Sequence, residues 1–297
     1  MAKFGRKIIQ AIKDKGNTLE GEMSFFEHLE ALRWHLIRSA LAIVVFATLA
    51  FIYYTWIFGH IIMAPAHTEF WTYRMMCGMG EFFQRILPAF FSAKDFCVES
   101  INVTLINTEM AGQFQLQINS SLLIGIALGI PYLFWELWRF IKPALHAKER
   151  KAASGFVFYA SLLFILGVLF GYFIITPLSI RFLAGYIVSD SIKNYFDIDS
   201  YLSSVATLTL ATGAVFQLPI LVYIVSSLGF LTPKLMRQGR RYAIVIILII
   251  AAVVTPTPDA LTMTVVAIPL FVLYEMSIVV AGVVERRRAK KELMIID

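Results

Sequence analysis

The chain has 297 residues, of which 59% are hydrophobic and 15% charged, against roughly 45 to 50% apolar and about 25% charged for an ordinary soluble domain. Such a chain cannot cover a globule with polar surface, so much of it must face hydrocarbon, where about 20 uncharged residues cross the core as a helix. The net charge of +6 lies in short loops beside apolar runs, not in a basic soluble domain, and this sets nucleic-acid binding aside.

The first 38 residues are polar and amphipathic, unlike a cleavable signal peptide, and are expected to lead into a signal anchor. Within them, SFFEHLEALR (Ser24 to Arg33) opens with Ser24 and Glu27 in the spacing of a capping box, which predicts a helix start. Phe25, Leu29, Leu32 and Leu36 then recur on one face, the stripe of an interfacial helix. Its polar face carries Glu27, Glu30 and Arg33, the last two forming an i,i+3 pair that on the plainest reading is solvated helix charge.

An apolar run follows Arg38 and closes on Tyr53, Tyr54 and Trp56, a headgroup-level aromatic group. Three further charge-free runs are long enough to cross: Met110 to Trp135 (26 residues), Ala152 to Ile180 (29) and Ser200 to Pro233 (34). Two more are predicted after them, Tyr242 to Val254 and a run from Ala260 to Val284 interrupted by Glu275. The first of these would be only about 20 Å long against a core of about 30 Å, and is expected to thin the bilayer or pack inside the protein. The expected architecture is an all-α, polytopic membrane protein, one domain over residues 1–297, with six transmembrane helices near 36–57, 112–138, 153–178, 201–229, 241–254 and 262–283. The loop from about Phe58 to Glu109 is its longest soluble segment.

Orientation follows from the basic residues, because 21 of the 26 Lys and Arg fall before span one, between spans two and three, between spans four and five, and after span six. Only Arg74, Arg85, Lys94, Arg181 and Lys193 fall on the other side. Both termini are therefore expected in the cytoplasm.

Pro131, Pro177, Gln217-Leu218-Pro219, Pro269 and Glu275 lie at depth, where broken helices need neighbours and an ionisable group suggests function. Trp135 and Trp138 read as interface anchors, and Glu149 as a charge among Lys148, Arg150 and Lys151. The sequences HExxH, GxSxG, Walker A and GxGxxG do not occur, so no enzyme is expected. Ion-coupled transport of a small solute is the rival reading, since broken helices and a buried glutamate suit it. A membrane scaffold is a third.

The order of the pieces carries more than any one. HLEALR before span one, Ala64-Pro65 after it, FIKPALHAKERK between spans two and three, FQLP in span four, TPTPD between spans five and six, and AIPLFVLYE in span six together resemble the TatC family. The resemblance covers about Ser24 to Ala281 and leaves out both tails and the long first outer loop. It implies a concave, glove-like bundle with two short C-terminal spans, in a bacterial cytoplasmic (inner) membrane. It also implies a receptor without cofactor or metal that binds the Arg-Arg pair of signal peptides on folded cargo. By the same resemblance the chain would assemble with single-span TatA-like and TatB-like proteins, with self-association left open, and proton-motive force would drive transport.

Carried over by motif position, Glu149 resembles the family's glutamate in the second loop, Phe140 its neighbouring aromatic, Arg33 its N-terminal arginine, Pro65 its outer-loop proline, and Asp259 the acidic residue between spans five and six. The chain departs from the family pattern at Ala31, where a glutamate is usual, and at Gln217, where the family carries a membrane-embedded glutamate. Glu27, one turn before Ala31, and Glu30, adjacent to it, are both candidates to replace the first.

Three expectations follow. Glu149 with Glu27 or Glu30 is expected to form the arginine-pair site. Gln217 is expected either to face a groove and meet a polar residue of a partner helix, or to satisfy carbonyls opened by Pro219. Cys77 and Cys97, the only cysteines, both fall in the outer loop and are expected to pair in an oxidising periplasm.

Overall fold

The computed structural model describes residues 25–86, 97, 103–142, 155–189, 191, 194–255 and 260–296. Helix α1 (Phe25–Ile52) opens the described residues and runs without a break from the amphipathic segment into the first apolar run. A short turn of helix, α2 (Tyr54–Ile57), and a π-helical turn (Phe58–Ile62) lead to Pro65. An outer helix, α3 (Trp71–Ile86), follows, and then strand β1 (Leu105–Ile106).

The second run is α4 (Gly112–Ile141). The third is α5 (Phe156–Phe170), a π turn (Gly171–Ile175) and α6 (Thr176–Gly185). Strand β2 (Phe196–Asp197) pairs in parallel with β1, Leu105 opposite Phe196 and Ile106 opposite Asp197. The fourth run is α7 (Ile198–Val215) and α8 (Leu218–Ser227), divided at Gln217 because Pro219 is tolerated only in a helix's first turn. Short α9 (Pro233–Gln238), α10 (Arg240–Val254) and α11 (Ala260–Ile296) complete the chain.

Five of these segments are long and apolar enough to cross a membrane: Leu29–Ile52, Gly112–Ile141, Phe156–Gly185, Ile198–Ser227 and Thr262–Arg286. The protein is a multi-pass, mostly helical membrane protein. The expected fifth span is α10, whose 15 residues reach only about 22 Å. It packs on α7 and α11, where its Ile247 and Ala251 join Ile175, Leu208, Phe216, Val266, Leu270 and Leu273 in one buried cluster. The expected sixth span, near 262–283, is the segment Thr262–Arg286, and its helix continues beyond it to Ile296. From Glu285 to Lys291 good helix formers follow one another with no Gly or Pro to stop the helix.

Helices α1 and α4 are antiparallel and approach closely through Gly125 and Gly129. A Cβ at Gly125 would stand 2.8 Å from the Ile43 carbonyl oxygen and the Ala47 nitrogen, and one at Gly129 would stand 2.5 Å from Ile43 Cγ1. Small residues let the backbones come together where no hydrophobic effect drives helices to associate.

At the far end of the bundle α3 docks on span three. Pro177 has no N–H to give the Phe173 carbonyl, and the Thr72 hydroxyl donates to that carbonyl instead. The buried Tyr73 phenol shares its proton between the carbonyl oxygens of Pro65 and Pro177, at 3.0 and 2.9 Å. Burial holds its pKa above the ordinary tyrosine range, so it stays a donor. Tyr201 and Tyr172 donate to the Ile62 and Ile61 carbonyls at 2.7 and 2.6 Å. Cys77 of α3 is disulfide-bonded to Cys97, with their Cα atoms 4.3 Å apart.

Candidate functional site

The basic end of the bundle, where α1 starts and α4 ends, holds the charged cluster of interest. Glu30 and Arg33 project from α1 as exposed side chains. One turn further His35 turns inward, 17% exposed, and its Nδ1 donates to Glu136 Oε2 at 2.5 Å. Glu136 stands on α4 with only 1% of its side chain exposed. Its Oε1 accepts from the Tyr132 hydroxyl at 2.9 Å and from Arg139 at 3.2 Å, one turn either side on the same helix. Arg38, from α1, lies 3.9 Å from Oε2.

A carboxylate this deep is stable only when its lone pairs are occupied and its charge is matched. Glu136 meets both conditions with partners from two helices. Arg38 and Arg139 extend outward, 48% and 49% exposed, so their charges face the surface while their partner is buried. Phe140 lies half-buried at the end of α4, its ring edge-on to His35 with centroids 6.0 Å apart.

Of the residues singled out from sequence, the structure brings Glu30, Arg33 and Phe140 to this end. Glu27 lies on the first turn of α1. Glu149 and Asp259 lie outside the described residues. Pro65 is buried at the far end against α6, its carbonyl held by Tyr73.

Gln217 is half-buried, and its Nε2 donates to the Ala160 carbonyl of α5 at 3.1 Å. This bond does not repair the break at Pro219, since the carbonyl left there without a helical donor is that of Val215. Glu275, read from sequence as an ionisable group at depth, is bonded to Arg240 at the start of α10, 2.7 Å away.

Sequence reasoning missed Glu136 and His35. Glu136 served only as the end of a charge-free run. The signals available were Tyr132 and Arg139 at i−4 and i+3, and a carboxylate set between two tryptophans. No group of three or more His, Cys, Asp or Glu that could hold a metal occurs among the described residues.

The chain matches the family model described as Sec-independent protein translocase protein (TatC) over residues 27–269. It is 36% identical over 269 residues to the Sec-independent protein translocase protein TatC of Blattabacterium sp. subsp. Periplaneta americana, covering 91% of this chain and 98% of that protein. The protein of the same name from Aquifex aeolicus is 32% identical over 272 residues, covering 91% and 99%. That from Deinococcus radiodurans is 32% identical over 258 residues, covering 87% and 85%. The fold is similar to the crystal structure of the twin arginine translocase receptor TatC, with a TM-score of 0.61 and 31% identity, covering 87% of this chain and 100% of that one. The same receptor in DDM gives a TM-score of 0.62 at 32% identity, covering 86% and 99%. With a family match across most of its length and relatives above 30% identity over nearly their whole length, the chain belongs to the TatC family of Sec-independent protein translocase proteins.

Proposed function

We propose that the chain is the signal-peptide receptor of a twin-arginine translocase in a bacterial cytoplasmic membrane. It crosses six times, with α10 as the short fifth span, and keeps both termini in the cytoplasm. It binds the Arg-Arg pair of signal peptides on folded cargo and assembles with TatA-like and TatB-like single-span proteins for proton-motive-force-driven export. It does so as a binding protein and not as an enzyme.

The observation that carries this reading is the cluster at the basic end, where Glu30, Arg33 and His35 of α1 stand with Phe140 of α4, at the mouth of the loop that carries Glu149. Two planar guanidiniums select carboxylates that can accept paired, charge-assisted hydrogen bonds, a geometry that ammonium groups do not match. One carboxylate comes from the loop, Glu149, and the other from α1, Glu27 or Glu30. Glu27 shares the helical face of Ala31, where the family carries its glutamate, and Glu30 is adjacent to it. Gln217, Pro65 and Asp259 belong to partner-facing or structural surfaces in the same reading.

Binding of a fluorescent twin-arginine peptide to the protein in nanodiscs tests it. The peptide should bind, and its Lys-Lys variant should bind at least about tenfold more weakly, the equivalent of one lost charge-assisted contact. Equal binding of both would overturn the receptor reading, and uptake of a small solute by proteoliposomes would replace it with the transporter.

A further inference from the structure

We infer that Glu136 is a positioning residue for the arginine-pair site, acting through His35 to fix the cytoplasmic end of α1 against α4. The inference rests on the receptor reading above and assigns a role to a residue outside the expected recognition set.

Along α1 and α4 the two helices are held by close packing at Gly125 and Gly129, well inside the bundle. Toward the recognition end the only bonds joining them among the described residues run through Glu136, to His35 at 2.5 Å with Arg38 at 3.9 Å. The groups expected to recognise arginine are divided between the two helices. Glu30 and Arg33 ride on α1, one turn before His35, while Phe140 and the loop with Glu149 continue from α4, one turn after Glu136. A two-point grip on neighbouring guanidiniums needs a fixed spacing between its halves. The bond at the last shared turn sets that spacing.

Glu136 itself is too buried, at 1% exposure, to meet a peptide. Its work is to orient His35. The imidazole is fixed on one side by the carboxylate and on the other by the Phe140 ring edge, 6.0 Å between centroids, so one side chain ties α1 to the aromatic beside the loop. His35 and Tyr132 meet different oxygens of the carboxylate, so an amide could keep one of these bonds through its oxygen and donate from its nitrogen to an unprotonated His35 Nδ1 or to the Tyr132 oxygen at the other, whereas an aliphatic side chain could do neither.

The test combines a distance with a binding ratio. Spin labels on Ile37→Cys and Leu137→Cys, both exposed and outside the cluster, report the separation of the two helix ends in nanodiscs. The same preparations are titrated with Arg-Arg and Lys-Lys signal peptides. Glu136→Leu and His35→Ala should each broaden the distance distribution, weaken Arg-Arg binding about tenfold and narrow the Arg-Arg to Lys-Lys ratio, as loss of a charged hydrogen bond would. The double variant should be no worse than Glu136→Leu alone, since that change already removes the His35 contact. Glu136→Gln, which keeps the shape and a hydrogen bond at each end of the group, should hold the narrow distribution and stay within about threefold of the parent affinity.

Unchanged Arg-Arg affinity in folded Glu136→Leu would overturn the inference, as would a Glu136→Gln loss equal to that of Glu136→Leu, which would make the charge the cause. A parent protein that does not distinguish Arg-Arg from Lys-Lys would instead remove the receptor reading, while the distance measurement would still report on the bond.

Discussion

His35 Nδ1 lies 2.5 Å from Glu136 Oε2, a bond that spans 101 positions of sequence and joins the first two membrane helices at their charged end. It closes a contact that begins at the opposite end with Gln117, whose Nε2 is 3.4 Å from the Phe51 carbonyl, and tightens at Gly125 and Gly129. The proposed recognition site thus stands at the end of a helix pair joined from one end to the other, and three further features of the bundle make testable claims about what keeps it in register.

Gly125 and Gly129 should differ in tolerance. A methyl group at Gly125 meets backbone at 2.8 Å, the Ile43 oxygen and Ala47 nitrogen, which cannot move without parting the helices, whereas at Gly129 its nearest neighbour is the side-chain atom Ile43 Cγ1 and backbone comes no nearer than 3.3 Å. Gly125→Ala should lower stability by about 1 to 3 kcal/mol, the usual range for overpacking. Gly129→Ala should cost clearly less. Thermal unfolding in a fixed detergent measures both, and equal losses would show that the approach is not set by backbone contact.

At the far end, Tyr73→Phe removes one hydroxyl and leaves the Pro65 and Pro177 carbonyls without the donor they share. Leaving buried acceptors unsatisfied costs about 1 to 3 kcal/mol. The variant should melt earlier, and α3 should become cleavable by protease added from outside. A melting temperature equal to the parent's would mean that water replaces the phenol.

Asp197 caps α7 through the Asp199 N–H at 2.9 Å and accepts from Thr108 Oγ1 at 2.9 Å, linking the outer ends of spans two and four. The Thr108 hydroxyl, and then the Asp199 N–H, hold its pKa below the usual carboxylate range. A lowered folded-state pKa stabilises the protein above the unfolded-state value, and that contribution fades as pH falls through the folded-state value. Acid should therefore destabilise the parent more than Asp197→Ala, so that the two stability curves converge below about pH 4, the ordinary Asp value. Curves that stay parallel well below that pH would refute the link.

Much of the fold was legible because charge is costly in hydrocarbon: runs without charge became helices, and Pro219 divided span four where a missing N–H had to be accommodated. The outer helix α3 was not expected, although Trp71, Met75, Met79 and Phe82 recur at helical spacing, because the loop was read as soluble connection. The two-residue strands lack any period to detect. The site was less legible for a different reason. The helix face of Glu30 and Arg33 follows from local spacing, but the destinations of Gln217 and Glu275, at Ala160 and Arg240, depend on which helices become neighbours. Glu136 was overlooked on the same ground, since its decisive partner lies on another span.

The central claim is that carboxylates from α1 and from the loop after α4 together hold two arginines, and peptide affinities of Glu27→Gln, Glu30→Gln and Glu149→Gln in nanodiscs test it most directly. Glu149→Gln should weaken Arg-Arg binding by roughly 10- to 150-fold, the effect of losing one partner of a shielded charge-assisted pair, and should hardly alter the weaker Lys-Lys peptide. Whichever of Glu27→Gln and Glu30→Gln shows a comparable loss identifies the second carboxylate. Unchanged Arg-Arg binding in Glu149→Gln would contradict the account, and equal losses for both peptides would reduce the site to general surface charge.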